Sequence, residues 1–299
     1  MKEKPYQVVC YGEILWDVLP SGELPGGAPM NVAYHLNKLG LMSALITRIG
    51  KDERGEKLKA LLNQHSISTS YVQEDEQQPT SIVQATIKEN NEVVYDIVYP
   101  TAWDFIHWED RFSGLIAQAP FFVFGSLSAR SEISRNTLFR LLEGANTKVL
   151  DINLRPPHYN PSTIEALLQQ AAILKLNENE LPLLASRYHN TGEEREQVQL
   201  LQNRFHIPVI IVTKGGAGAL VNKEGNFYEH AGYKVKVADT VGSGDAFLAG
   251  FLAKTAAGAK PDEALAFANA MGAFMATQKG ACPQYDLSSV QALKSVSTV

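Results

Sequence analysis

Residues 239–250 read DTVGSGDAFLAG. Three glycines and two aspartates run into small apolar residues, and Ala246, Phe247, Ala249, Gly250, Phe251 and Ala253 continue at helical spacing towards Gly258. This is a glycine loop opening a helix. The first N–H groups of a helix lack intrahelical partners and its N-terminal end carries partial positive charge, so the stretch suits an anion. Glycine lets a ligand approach the backbone closely. The stretch is not a Walker A loop, because no lysine follows Gly244. It is not a dinucleotide fingerprint either, since Gly242-Ser243-Gly244 lacks a third glycine and lies far from the first strand. Asp245 has two roles open to it. It can stabilise the first helical turn, worth about 0.3–1 kcal/mol, or act as a general base beside an anion hole formed by Gly242, Ser243 and Gly244.

Outward from this stretch, short apolar runs alternate with amphipathic segments. Segments 7–15, 43–50, 121–126, 148–153, 172–177 and 208–215 predict buried strands, several nearly continuous in apolar residues. Helices are predicted over 29–39, 51–65, 161–171 and 193–205, and the small-residue run 266–276 adds another. The alternation predicts an α/β fold with a mostly parallel central sheet and helices on both faces. SIVQATIKENNEVVYDIVYP (81–100) breaks the rhythm as an antiparallel hairpin around Glu89-Asn90-Asn91. With the Gly- and Pro-broken stretch after the first strand, it predicts a small β-lid from about 12–28 and 81–104 on one domain spanning 1–299. An edge hairpin on the main sheet is the plainer alternative.

Composition sets limits. The chain has 299 residues, 45% hydrophobic and 20% charged, enough for a sizeable core. A net charge of −5 argues against nucleic acid. No run approaches the ~18 apolar residues of a membrane span, and MKEKPYQVVCYGEIL lacks a signal-peptide core. Two distant cysteines, Cys10 and Cys282, suggest a reducing compartment. The expectation is a cytoplasmic protein without nucleic-acid or membrane partners. The seven histidines show no metal-ligand spacing, and His35 and His65 fit surface or core positions better.

DTVGSGDAFLAGFL resembles the C-terminal signature of ribokinase-like (PfkB-type) carbohydrate kinases, usually D-T-x-G-A-G-D-x-F. ELPGGAPMNVAYHLNKLG (23–40) is similar to their N-terminal glycine-pair motif, and DINLRP (151–156), LKLNENEL (174–181) and VTKGGAGAL (212–220) follow in family order. Ser243 stands where alanine is commoner. The resemblance implies a ribokinase-like three-layer α/β/α fold and an ATP-dependent sugar kinase requiring Mg²⁺, with Asp245 as base and residues 242–244 as the hole for the γ-phosphoryl group. It places Asp239 and Thr240 at the end of a strand, near a monovalent-cation site, usually potassium.

By the same resemblance Gly26, Gly27, Asn31 and Asp17 bind sugar. Each also has a local reading, as turn, cap or solvated carboxylate. Arg155 faces a phosphate, an acidic sugar or a structural carboxylate. Asn177 and Glu180 match an N-x-x-E motif that organises Mg²⁺ and phosphates through water, and they equally suit a capping box. Thr213, Gly215, Gly216 and Gly218 form a nucleotide-side loop, with Lys214 solvated. Asn269 lines an adenine wall, in a helix whose small residues suit either the ring or a neighbouring helix. Trp103 either stacks on the sugar or belongs to the core. The glycine-pair and D-x-N-x-R forms look most like bacterial fructokinases and are shared with 2-keto-3-deoxygluconate kinases. The acid-sugar enzymes carry an arginine beside tyrosine in the lid. None occurs from 93 to 105, near Tyr95 and Tyr99, which favours fructose. A silent sugar or nucleotide sensor and a dehydrogenase are rival classes. The lid suggests a homodimer.

Overall fold

Near-continuous apolar runs become strands buried on both faces, as in Ser43–Gly50, where seven of eight residues are buried. The computed structural model describes residues 5–19, 22–87, 93–189 and 192–296. The Glu89-Asn90-Asn91 turn lies outside the described residues. The chain divides into two compact units, 1–122 with 128–146 and 280–282, and 123–127 with 147–279 and 283–299.

The first unit holds β1 (Val8–Tyr11), β2 (Leu15–Leu19), β3 (Gly22–Gly26), α1 (Ala28–Lys38), β4 (Ser43–Gly50), α2 (Glu53–Gln64), β5 (Val72–Asp75), β6 (Ser81–Ile87), β7 (Val93–Ile97), α3 (Arg111–Gln118) and α4 (Glu132–Gly144). Strand β8 (Phe121–Gly125) is shared by both units. The second unit holds β9 (Thr147–Asp151), α5 (Pro161–Leu168), β10 (Ile173–Asn177), α6 (Glu180–Ala185), α7 (Glu194–Phe205), β11 (Val209–Thr213), β12 (Ala219–Lys223), β13 (Asn226–His230), α8 (Ser243–Ala256), α9 (Pro261–Ala276) and α10 (Leu287–Val296).

The main sheet runs β13-β12-β11-β10-β9-β8-β1-β4-β5. β1, β4 and β5 pair in parallel, as do β9, β10 and β11, while β12 and β13 add antiparallel at one edge. This is the expected mostly parallel α/β architecture. The predicted strand 7–15 is two strands, broken at Gly12, whose φ of +136° turns the chain. Polar β5 and β13 escaped the periodicity argument because edge strands need no long apolar run, and β12, beside β13, has an apolar run of only three residues. A second sheet, β3-β2-β6-β7, contains the 81–100 hairpin and the stretch after the first strand. It is a sheet of its own, not an edge of the main one. No helix among the described residues is long and apolar enough to cross a membrane.

Local chemistry sets the helix ends. Asp52 caps α2 by accepting from the Gly55 amide at 2.8 Å, and Asn160 caps α5 through Thr163 N at 2.8 Å. Pro29 occupies the first turn of α1, and Gly40, at φ +84°, follows its end.

In the first unit, the end of β7 is tied down by one arginine. Arg130 donates from Nε and one terminal nitrogen to the two oxygens of Asp104, both at 2.7 Å, and again to the Val98 carbonyl at 2.8 Å. The pair is buried, with side-chain exposures of 3% and 0%. The guanidinium lies 3.9 Å from the Trp103 ring centroid and 5.0 Å from that of exposed Tyr99. Trp103 is fully buried, so of its two expected roles the structure gives it the core and not a stacking face for sugar. Replacing Arg130 by Met strands a buried carboxylate. The expected loss is about 3–5 kcal/mol, largely recovered in Arg130→Met/Asp104→Asn, as read by urea unfolding.

His35, on α1, is fully buried and donates from Nε2 to the Ala281 carbonyl at 2.9 Å. Burial pushes its pKa down to about 4, against the opposing pull of that carbonyl. Between about pH 6.5 and 4 the unfolded chain binds a proton that the folded chain refuses, so stability is lost as pH falls through this window. The His35 share is about 3 kcal/mol. Urea unfolding at pH 7 and pH 4 should show a drop smaller by that amount in His35→Gln.

Candidate active site

In the second unit, Gly242 stands before α8 at φ +76° and ψ −4°, a left-handed conformation that suits glycine. Its carbonyl accepts from Ala246 N at 2.9 Å and closes the first turn. Asp239 accepts from Val241 N at 3.0 Å and shapes the approach. Residues 231–242 form no strand, contrary to the expectation that Asp239 and Thr240 end one. The Ala238 and Asp239 amides instead donate to Ala276 O, at the end of α9. The Ser243 hydroxyl oxygen is buried without a hydrogen-bond partner, and Asp245 is half-buried in the first turn.

The Cβ direction of Gly244 is occupied. A methyl there would lie 3.3 Å from Lys175 Nζ. Sequence reasoning missed this lysine, although a lone cation in the apolar strand ILKLN was the available signal. Parallel register sets Lys175 opposite Asp151, and the two form a buried ion pair at 2.7 Å. Burial opposes the ammonium charge, but Asp151, then Asp245 and Glu180, outweigh it, and the lysine pKa is raised.

Asn177 and Glu180 form a reciprocal box. Asn177 Oδ1 accepts from the amides of Asn179 and Glu180, at 2.9 and 3.0 Å, and Glu180 accepts from Asn177 N at 2.9 Å and Leu154 N at 2.7 Å. Burial and Asp151 raise the Glu180 pKa, against those two amides and Lys175. Both carboxylate oxygens therefore serve the backbone. Among the described residues no group of three or more His, Cys, Asp or Glu is arranged to hold a metal. The oxygen-only set suits Mg²⁺ held through its own waters, not a protein cage.

Thr213 ends β11, and Gly215 and Gly216 have open space in their Cβ directions. Gly218 differs. At φ +87°, its Cβ would fall 1.9 Å from His230 O, so its need for glycine is backbone packing. Lys214 pairs with Glu194 at 3.1 Å and is not merely solvated. Asn269 is buried and donates to Leu265 O at 2.9 Å. The small residues of α9 face a helix. A Cβ on Gly250 would meet Met271 Cγ at 2.9 Å, and one on Gly272 would meet Ser243 O at 3.2 Å. Arg155 is exposed.

In the first unit, Asp17 lies on β2, not after the first strand, and is half-buried. A Cβ on Gly26 would strike Asp17 Oδ2 at 2.6 Å, and one on Gly27, at φ +112°, would strike Glu13 O at 2.5 Å. The glycine pair thus lets a carboxylate and a carbonyl close over the chain. Asn31 is buried on α1 and its Oδ1 accepts from the Cys282 thiol at 3.4 Å. Nothing in the sequence pattern linked these two residues.

Comparison with known proteins gives the family of the chain. Residues 10–286 match the model of the pfkB family carbohydrate kinases. The chain is 32% identical over 306 residues to a probable fructokinase-5 of Arabidopsis thaliana, covering 92% of this chain and 93% of that one. It is 30% identical over 296 residues to the fructokinase of Salmonella typhimurium, covering 92% and 94%. A double-mutant fructokinase of Vibrio cholerae, solved with fructose, ADP and potassium, superposes at a TM-score of 0.83 with 26% identity, covering 98% and 99%. The chain belongs to the pfkB family of carbohydrate kinases.

Proposed function

We propose that this kinase transfers the γ-phosphoryl group of ATP to the terminal hydroxyl of D-fructose, giving fructose 6-phosphate. The observation that carries the reading is the α8 entrance: a glycine turn at Gly242, Asp245 in the first helical turn and the buried Lys175 ammonium against Gly244. Asp245 takes the hydroxyl proton as the sugar oxygen bonds to phosphorus and the bond to ADP breaks. The amides at 242–244 carry the developing phosphoryl charge. Asp17, Gly26, Gly27 and Asn31 hold the sugar, and Thr213, Gly215, Gly216, Gly218 and Asn269 serve the nucleotide. Asn177 and Glu180 orient a hydrated Mg²⁺, which neutralises phosphate charge when bound. Asp239 is the candidate for a potassium site, the ion named with the Vibrio cholerae enzyme. The four-stranded sheet serves as the lid that excludes water and as the contact of a homodimer.

The neutral sugar is supported by the relatives and by Arg130. An arginine does approach the hairpin, from outside segment 93–105, which sequence spacing could not reveal. Asp104 already engages it through both oxygens, so a sugar carboxylate would have to displace a buried partner.

ADP release from Mg·ATP, assayed with fructose, ribose, 2-keto-3-deoxygluconate, tagatose and adenosine, tests the reading. Fructose should turn over fastest, and Asp245→Ala should lower kcat by about 10²–10⁴-fold. Turnover with the keto acid alone would overturn the sugar assignment, and no turnover with any acceptor would overturn the kinase reading.

A further inference from the structure

Lys175 is a costly residue to bury, and the fold keeps it in the middle of β10, two residues before the Asn177 end of that strand. Three carboxyl groups from three elements feel it: Asp151 on β9, Glu180 on α6 and Asp245 on α8. A structural pair would need Asp151 alone. It would not need residue 244 to lack a side chain, yet the Cβ direction of Gly244 points at the ammonium at 3.3 Å. An ammonium has three donors, and Asp151 accepts from it at 2.7 Å. We infer that Lys175 is a positioning residue of the phosphoryl-transfer centre: anchored by Asp151, its ammonium fixes the 242–245 turn and the Asp245 carboxylate in the arrangement that catalysis uses. Gly244 leaves the ammonium room beside the turn, since a Cβ there would lie 3.3 Å from Nζ. Because Lys175 acts through Asp245 and the loop amides, its removal slows the chemical step while leaving ground-state binding of both substrates in place.

This inference rests on the kinase reading above, and the wild-type enzyme judges that reading by itself: if wild type phosphorylates no sugar, the proposed function fails whatever Lys175 does. With an active wild type, Lys175→Met/Asp151→Asn removes both members of the ion pair, so that Asp151 is not left as a buried carboxylate without its partner. Its kcat should fall by about 100-fold, in the range seen when preorganised electrostatic groups are removed. KM for sugar and ATP, and ADP affinity by calorimetry, should stay within about threefold. If that variant does not fold, Lys175→Gln reads the same quantities, and Lys175→Arg, which keeps the charge, should recover most of kcat. A kcat within threefold of wild type overturns the inference. So does a loss of ADP binding in step with kcat, and so does failure of both neutral variants to fold, since each assigns Lys175 to the core.

Discussion

The second unit is organised around a cation that the core would reject alone. Lys175 lies between apolar neighbours in β10, and an unpaired ammonium there would lose its charge or prevent folding. Parallel pairing with β9 supplies Asp151 at the matching register position. From that pair the rest of the centre follows. Asp245 meets a fixed positive charge, and Glu180, with its oxygens spent on the amides of Asn177 and Leu154, links β10 to the loop after β9. Helix α9 packs against the start of α8, close enough that a Cβ on Gly272 would lie 3.2 Å from Ser243 O.

The glycines divide into two kinds. Gly215 and Gly216 face open space and leave room for a ligand. Gly26, Gly27, Gly218 and Gly244 are each occupied by the protein itself: by Asp17, by Glu13, by the end of β13 and by Lys175. Close approach to glycine, the physical idea read from sequence, holds at these four positions with the chain itself on the Cβ side.

Much of the fold was legible because buried parallel strands write themselves as apolar runs. Ser43–Gly50 and Val209–Thr213 were found nearly to the residue. Strands β12 and β13, five residues each and joined through a turn at Gly225, were not. Residues joined by register or by distant loops were equally hidden. Asp151 and Lys175 are 24 positions apart and Arg130 and Asp104 are 26 apart, while Asn31 and Cys282 are separated by 251. Local pattern reported the capping box at Asn177 and Glu180 because all its members lie within one turn. It could not report that Glu180 also receives the Leu154 amide.

Residues 280–282 belong to the first unit although they come near the end of the chain. They carry the carbonyl of Ala281 that receives buried His35, and the thiol that reaches Asn31. A ribosome adding about 5–20 residues per second therefore needs roughly 10 s after residue 146 before that unit has all its parts. Over that interval the His35 imidazole and the Asn31 amide have neither the Ala281 carbonyl nor the Cys282 thiol to meet. The first unit is therefore completed only after residues 147–279 of the second unit have been made.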